Sequence, residues 1–89
     1  MNVIRWRLRE TMDAHGISAT ALAEAMGISK NAISNLRSSE MPRIGGDRLN
    51  SLILALNRLR RPSSPLIAID DLIQFSITPK EMAVLGIKV

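Results

Sequence analysis

Lys30, Asn31, Ser34 and Asn35 fall within six consecutive positions, at spacings that put all four on one side of an α-helix. Every one of these side chains is polar and able to donate a hydrogen bond, and none is acidic. The Asn carboxamide sets a donor beside an acceptor, which matches adenine N6 and N7; Lys donates to guanine O6 and N7, and Ser suits either base. Such a face has the chemistry to read base edges. Bond chemistry is thinly supplied elsewhere. The chain has no Cys and one His, which leaves no thiol nucleophile, disulfide, thiolate site or multi-His centre. Gly45-Gly46 lacks the Lys-Ser or Lys-Thr of a phosphate loop and reads as a turn. No acid–base pair stands out, so no enzyme activity, metal or cofactor is expected.

The elements that must hold this face are legible from their ends. Ile17-Ser18 and Ile28-Ser29 each set an apolar residue before a hydroxyl that can accept a hydrogen bond from the free N–H groups of a helix start. Leu22 and Ile33 stand at the fourth helical positions, as a hydrophobic staple requires. Gly16 and Gly27 precede these starts, where an earlier helix ends in left-handed backbone, so helices are expected to close near His15 and Met26. Leu22, Ala23 and Met26 share one helix face, as do Ile33 and Leu36, and only Gly27-Ile28-Ser29 joins the two helices.

Outside this pair, Asp47 is expected to cap a fourth helix on which Leu49, Leu52, Ile53 and Leu56 recur. The stretch Arg60-Arg61-Pro62-Ser63-Ser64-Pro65 cannot continue it. Asp70 is expected to cap a short helix running through Phe75, and Thr78-Pro79-Lys80-Glu81 combines a capping box with Pro at the first helical position, ahead of a stop at Gly86. At the front, Ile4, Trp6 and Leu8 alternate with Arg5, Arg7 and Arg9 as a strand would, whereas Ile4, Leu8 and Met12 fit a helix; a helix from about Arg5 is favoured. Trp6 then packs against the C-terminal segment or at a subunit contact. His15 is expected to meet helix-terminal carbonyls, and Met12, Met26, Met41 and Met82 to fill gaps.

Charge divides the chain. Residues 1–61 carry ten basic and five acidic side chains and residues 62–89 two basic and three acidic, so the overall +4 is +5 in front and −1 behind. That division suits a front half meeting phosphate and a back half meeting protein. Arg5, Arg7 and Arg9, like Arg58, Arg60 and Arg61, are read most simply as solvated flanks. The longest apolar runs, Leu52 to Leu56 and Leu66 to Ile69, are far shorter than the roughly 18 residues of a membrane span, so a soluble, cytoplasmic protein with no membrane partner is expected.

The run Ser18-Ala19-Thr20-Ala21-Leu22-Ala23-Glu24-Ala25-Met26-Gly27-Ile28-Ser29-Lys30-Asn31-Ala32-Ile33-Ser34-Asn35-Leu36 resembles the helix-turn-helix of phage-repressor and Cro-like proteins, the XRE family, over about residues 4–57. The resemblance implies a compact bundle of about five helices that binds operator DNA as a symmetric dimer and regulates transcription. It implies base contacts from Lys30, Asn31, Ser34 and Asn35, and phosphate contacts from the start of the second helix and the loop after the third. The chain departs from the family pattern in two places. Ala19 stands where a phosphate-binding Gln is frequent, and Arg37-Ser38-Ser39 replaces a common Glu-Asn-Gly. The phosphate clamp then falls to Ser18, Thr20, Ser29, Arg37, Ser38 and Arg43.

The expected fold is all-α: a helix-turn-helix domain over residues 1–61 and a short helical extension over 62–89. Leu66, Ile67, Leu72, Ile73, Phe75, Met82, Val84, Leu85 and Ile87 make that extension apolar enough for a homodimer contact. The expected function is a sequence-specific transcriptional regulator with double-stranded DNA as partner and residues 30–37 as recognition helix. The alternative is an adaptor or antitoxin-like protein that holds a protein partner through its C-terminal half.

Overall fold

Ser18 lies in extended backbone, and its Oγ accepts the Ala21 N–H at 3.1 Å, opening the helix Ala19–Met26. Ser29 repeats the arrangement, its Oγ accepting the Ala32 N–H at 3.1 Å at the start of Lys30–Leu36. Between them Gly27 adopts φ 67°, a left-handed conformation that other residues reach only at a cost, and its N–H turns back to the Ala23 and Glu24 carbonyls. Both caps and the turn are those expected from the sequence. The computed structural model describes residues 3–88, so the outermost positions of the two expected units, 1–2 and 89, lie outside the described residues.

In chain order the elements are β1 (Ile4–Trp6), α1 (Leu8–His15), α2 (Ala19–Met26), α3 (Lys30–Leu36), α4 (Gly46–Leu59), α5 (Ile69–Leu72), β2 (Ile73–Phe75) and α6 (Pro79–Leu85). The fold is therefore mostly helical but not all-α. β1 and β2 pair antiparallel, with Ile4 opposite Phe75, Arg5 opposite Gln74 and Trp6 opposite Ile73. The helix expected from Arg5 begins instead at Leu8, and the alternation of Ile4, Arg5 and Trp6 is that of a strand. The helix expected behind an Asp70 cap and running through Phe75 opens instead at Ile69 after Ala68, with Asp70 in its first turn, and stops at Leu72, where the chain extends to become β2. Asp47 is not a cap either: α4 opens at Gly46 with Gly45 before it, leaving Asp47 in the first turn, where a carboxylate favours the helix dipole.

Leu8 and Met12 of α1, Leu22 and Ala23 of α2, Ile33 and Leu36 of α3, and Leu52, Ala55 and Leu56 of α4 form one buried cluster with Trp6, Ile17, Ile67 and Leu72. Ile67 and Leu72 thus lie inside it, whereas Leu66, Phe75, Val84, Leu85 and Ile87 are exposed. The proline-bearing stretch after α4 is folded back by two side chains. Asn57 Nδ2 donates to the Ile67 carbonyl and Asn57 Oδ1 accepts the Ile67 N–H, both at 2.8 Å. Arg60 Nη1 donates to the Ser64 carbonyl, also at 2.8 Å. The Arg7 N–H donates to the Leu72 carbonyl at 2.6 Å, joining the start of α1 to the end of α5. At the far end, Thr78 and Glu81 form the expected capping box and Gly86, at φ 72°, ends α6, which contributes no buried residue.

Candidate nucleic-acid interface

α3 is seven residues long, too short to be stable alone, so its neighbours hold it in place. Ile33 is fully buried and Leu36 nearly so, which fixes one side of the helix against the cluster. Lys30, Asn31, Ser34 and Asn35 on the other side are all exposed. A polar strip facing outward from a buried apolar base is what base-edge recognition requires.

The C-terminal end of α3 is anchored by a residue from the other end of the fold. Trp6 is 5 % exposed, and its Nε1 donates to the Leu36 carbonyl at 2.6 Å. The last carbonyls of a helix lack intrahelical partners, so the indole satisfies a group that would otherwise be orphaned. Trp6 is thus an internal strut that faces Ile73 across the β1–β2 ribbon.

The groups expected to meet phosphate surround this strip unevenly. Ser18 and Ser29 are exposed, and because each Oγ acts as a capping acceptor, each hydroxyl proton remains available for donation. Thr20 is exposed on the first turn of α2. Ser38 is exposed, with its Oγ donating to the Glu40 carbonyl at 3.3 Å, while Arg43 is exposed in the loop before α4 and makes no hydrogen bond among the described residues. Arg37 is half-buried, with Nη2 4.0 Å from Asp13 Oδ1 on α1. Ala19, the first departure from the family pattern, packs against the core and offers no polar group.

Arg9, by sequence part of a solvated flank, lines a surface concavity with Ser34, Arg37 and Ser38. Its four-residue spacing from Asp13 places both on one face of α1, but only the packed structure reveals that this face lies beside the end of α3. His15 does not take the role expected of it. Its Nδ1 is buried without a hydrogen-bond partner, and the backbone N–H of Gly16 reaches the Met12 and Asp13 carbonyls instead. Among the described residues no three His, Asp or Glu side chains gather as metal ligands would, and no helix is long and apolar enough to cross a membrane.

Comparison with protein families matches residues 7–57 to the Cro/C1-type HTH DNA-binding domain. The chain belongs to this family. The match spans α1 through most of α4, so the Cro/C1-type domain includes the capped pair α2 and α3 and the exposed strip between Lys30 and Asn35. It is a DNA-binding domain of the helix-turn-helix kind, as the resemblance implies. β1, α5 and β2 lie outside the matched span, yet Trp6, Ile67 and Leu72 complete the buried cluster of the Cro/C1-type fold. Neither the curated proteins nor the solved structures compared with the chain give a match.

Proposed function

We propose that the chain is a sequence-specific transcriptional regulator that places residues 30–37 in the major groove and acts as a homodimer on an inverted repeat. The observation that carries this reading is the exposed strip Lys30, Asn31, Ser34 and Asn35 on a helix whose opposite side is buried. In this reading those four side chains contact bases, while Ser18, Thr20, Ser29, Arg37, Ser38 and Arg43 contact phosphates. Selection of binding sites from random DNA tests it: the expected product is an inverted repeat with purines in each half-site, and failure to enrich any sequence overturns it. Asn31→Ala or Asn35→Ala is expected to relax preference at one base pair by about 1–3 kcal/mol, and Arg43→Ala to weaken all duplexes alike. Competition binding with single-base operator variants separates the two patterns.

Dimerisation is supported by apolar surface the monomer leaves uncovered. Phe75 and Val84 are 70 % and 71 % exposed, and Leu66, Leu85 and Ile87 are also open to solvent. One short recognition helix rarely supplies enough affinity, and two-fold symmetry doubles its contacts. Deleting residues 77–89 removes α6 and leaves β2 intact; the expected result is a lower apparent mass by sedimentation, and an unchanged mass excludes that segment from the interface. The same apolar surface also suits the second reading, an adaptor or antitoxin-like role with a different protein as partner. A flat dependence of DNA affinity on salt favours that role, because neutralising Z phosphates gives a log–log slope of about −0.9Z.

A further inference from the structure

Arg9 on α1, Ser34 on α3, and Arg37 and Ser38 just past the end of α3 line one surface concavity. No carboxylate is among its lining residues. Arg9 is exposed, and its side chain forms no hydrogen bond or ion pair among the described residues. Arg37 is incompletely satisfied: its Nε is buried without a hydrogen-bond partner, and its one ion-pair contact, to Asp13, is stretched to 4.0 Å. Two guanidinium groups line the concavity and only one of them pairs with a carboxylate, so the lining itself carries a net positive charge. The Ser34 hydroxyl adds a donor, and Ser34 belongs equally to the exposed strip on α3, so concavity and strip are continuous.

The ligand follows from geometry and charge. A major groove about 12 Å wide accepts a helix about 10–12 Å across, so the sugar–phosphate backbones run along the flanks of an inserted helix. A cationic hollow at the flank of α3 therefore meets a phosphodiester, and a guanidinium fork can donate to two phosphate oxygens at once. We propose that this concavity seats one backbone phosphate of the bound duplex, with Arg9 and Arg37 holding it from opposite sides and Arg9 acting as a phosphate-binding residue. The seat rests on the reading that α3 enters the major groove, and it ties α1 to the strand that α3 straddles.

The test uses the full chain, a duplex carrying the selected site and a mixed-sequence duplex, with affinity measured across a salt series for wild type, Arg9→Ala and Arg9→Lys. For Arg9→Ala the expected log–log slope is shallower by about 0.9, so that between about 50 and 200 mM salt the variant loses roughly 3.5-fold less affinity than wild type. The weakening is expected to be equal on both duplexes, Arg9→Lys is expected to restore the slope, and an unchanged denaturation midpoint shows that the exposed substitution leaves the fold intact. A wild-type protein with no salt-dependent DNA binding overturns the DNA reading and the seat together. A steep wild-type slope left unchanged by Arg9→Ala, or a loss confined to the selected site, overturns the seat alone.

Discussion

Replacing Trp6 with Ala is expected to destabilise the protein by about 3–5 kcal/mol, the usual cost of deleting a buried Trp or Phe side chain. Against a total stability of about 5–15 kcal/mol for a domain of ordinary size, that loss brings the fold close to its limit. Two contributions add. The ring is buried with Leu8, Leu36 and Leu72 in a single cluster, and its Nε1 satisfies the Leu36 carbonyl at the end of α3. Trp6→Phe separates them, since it keeps most of the apolar volume but leaves that carbonyl without its donor, at about 1–3 kcal/mol. Urea denaturation of both variants checks the division. If Trp6→Phe equals wild type in stability, the indole hydrogen bond contributes nothing and the strut is purely one of packing. If the bond does hold the end of α3, Trp6→Phe also weakens binding to a specific duplex under conditions where the variant is fully folded.

Asn57→Ala is the second large effect. Ile67 is 3 % exposed, and its N–H and carbonyl both pair with the Asn57 carboxamide. Truncation removes both partners at once, and each backbone group stranded without a hydrogen bond costs about 1–3 kcal/mol. A loss of about 2–4 kcal/mol is expected in chemical denaturation. Asn57→Asp is a sharper probe: a carboxylate still accepts the Ile67 N–H but cannot donate to the carbonyl, so its destabilisation should fall between wild type and Asn57→Ala. Equal losses for Asp and Ala would mean that the accepting half of the pair is immaterial. Because Asn57 lies on the side of α4 that receives the returning chain, this variant also measures how far docking of residues 60–72 supports the matched domain.

Most local signals in the sequence hold where chemistry and structure are close in the chain, the caps expected at Asp47 and Asp70 and the carbonyl contact expected of His15 being the exceptions. Ser18 and Ser29 act as caps, Gly16 and Gly27 take left-handed backbone, and the box of Thr78 and Glu81 stands where its residue types require it. In each case a hydrogen bond or a backbone conformation within four residues decides the outcome. The strip on α3 was legible for a similar reason, since Ile33 and Leu36 determine which side turns inward. The ribbon was not. A strand of three residues shows barely more than one alternation, and Ile4–Trp6 gains its hydrogen bonds from Ile73–Phe75 at the opposite end of the chain. Local periodicity carries no information about that partner, so the sequence favours a helix from about Arg5 and offers only a helix for 73–75. The setting of Arg9 is hidden from the sequence on the same ground, because its neighbours Ser34, Arg37 and Ser38 are assembled by packing.

The indole that braces α3 is the only one in the chain, and there is no tyrosine. Tryptophan fluorescence from the protein therefore originates at a single point, shielded from water and bonded to the last carbonyl of α3. Any ligand that tugs on that carbonyl, or any strain passed along the ribbon from the far terminus, alters the colour and intensity of this light. The fold thus contains a built-in optical gauge at the end of the proposed recognition helix, readable without a dye.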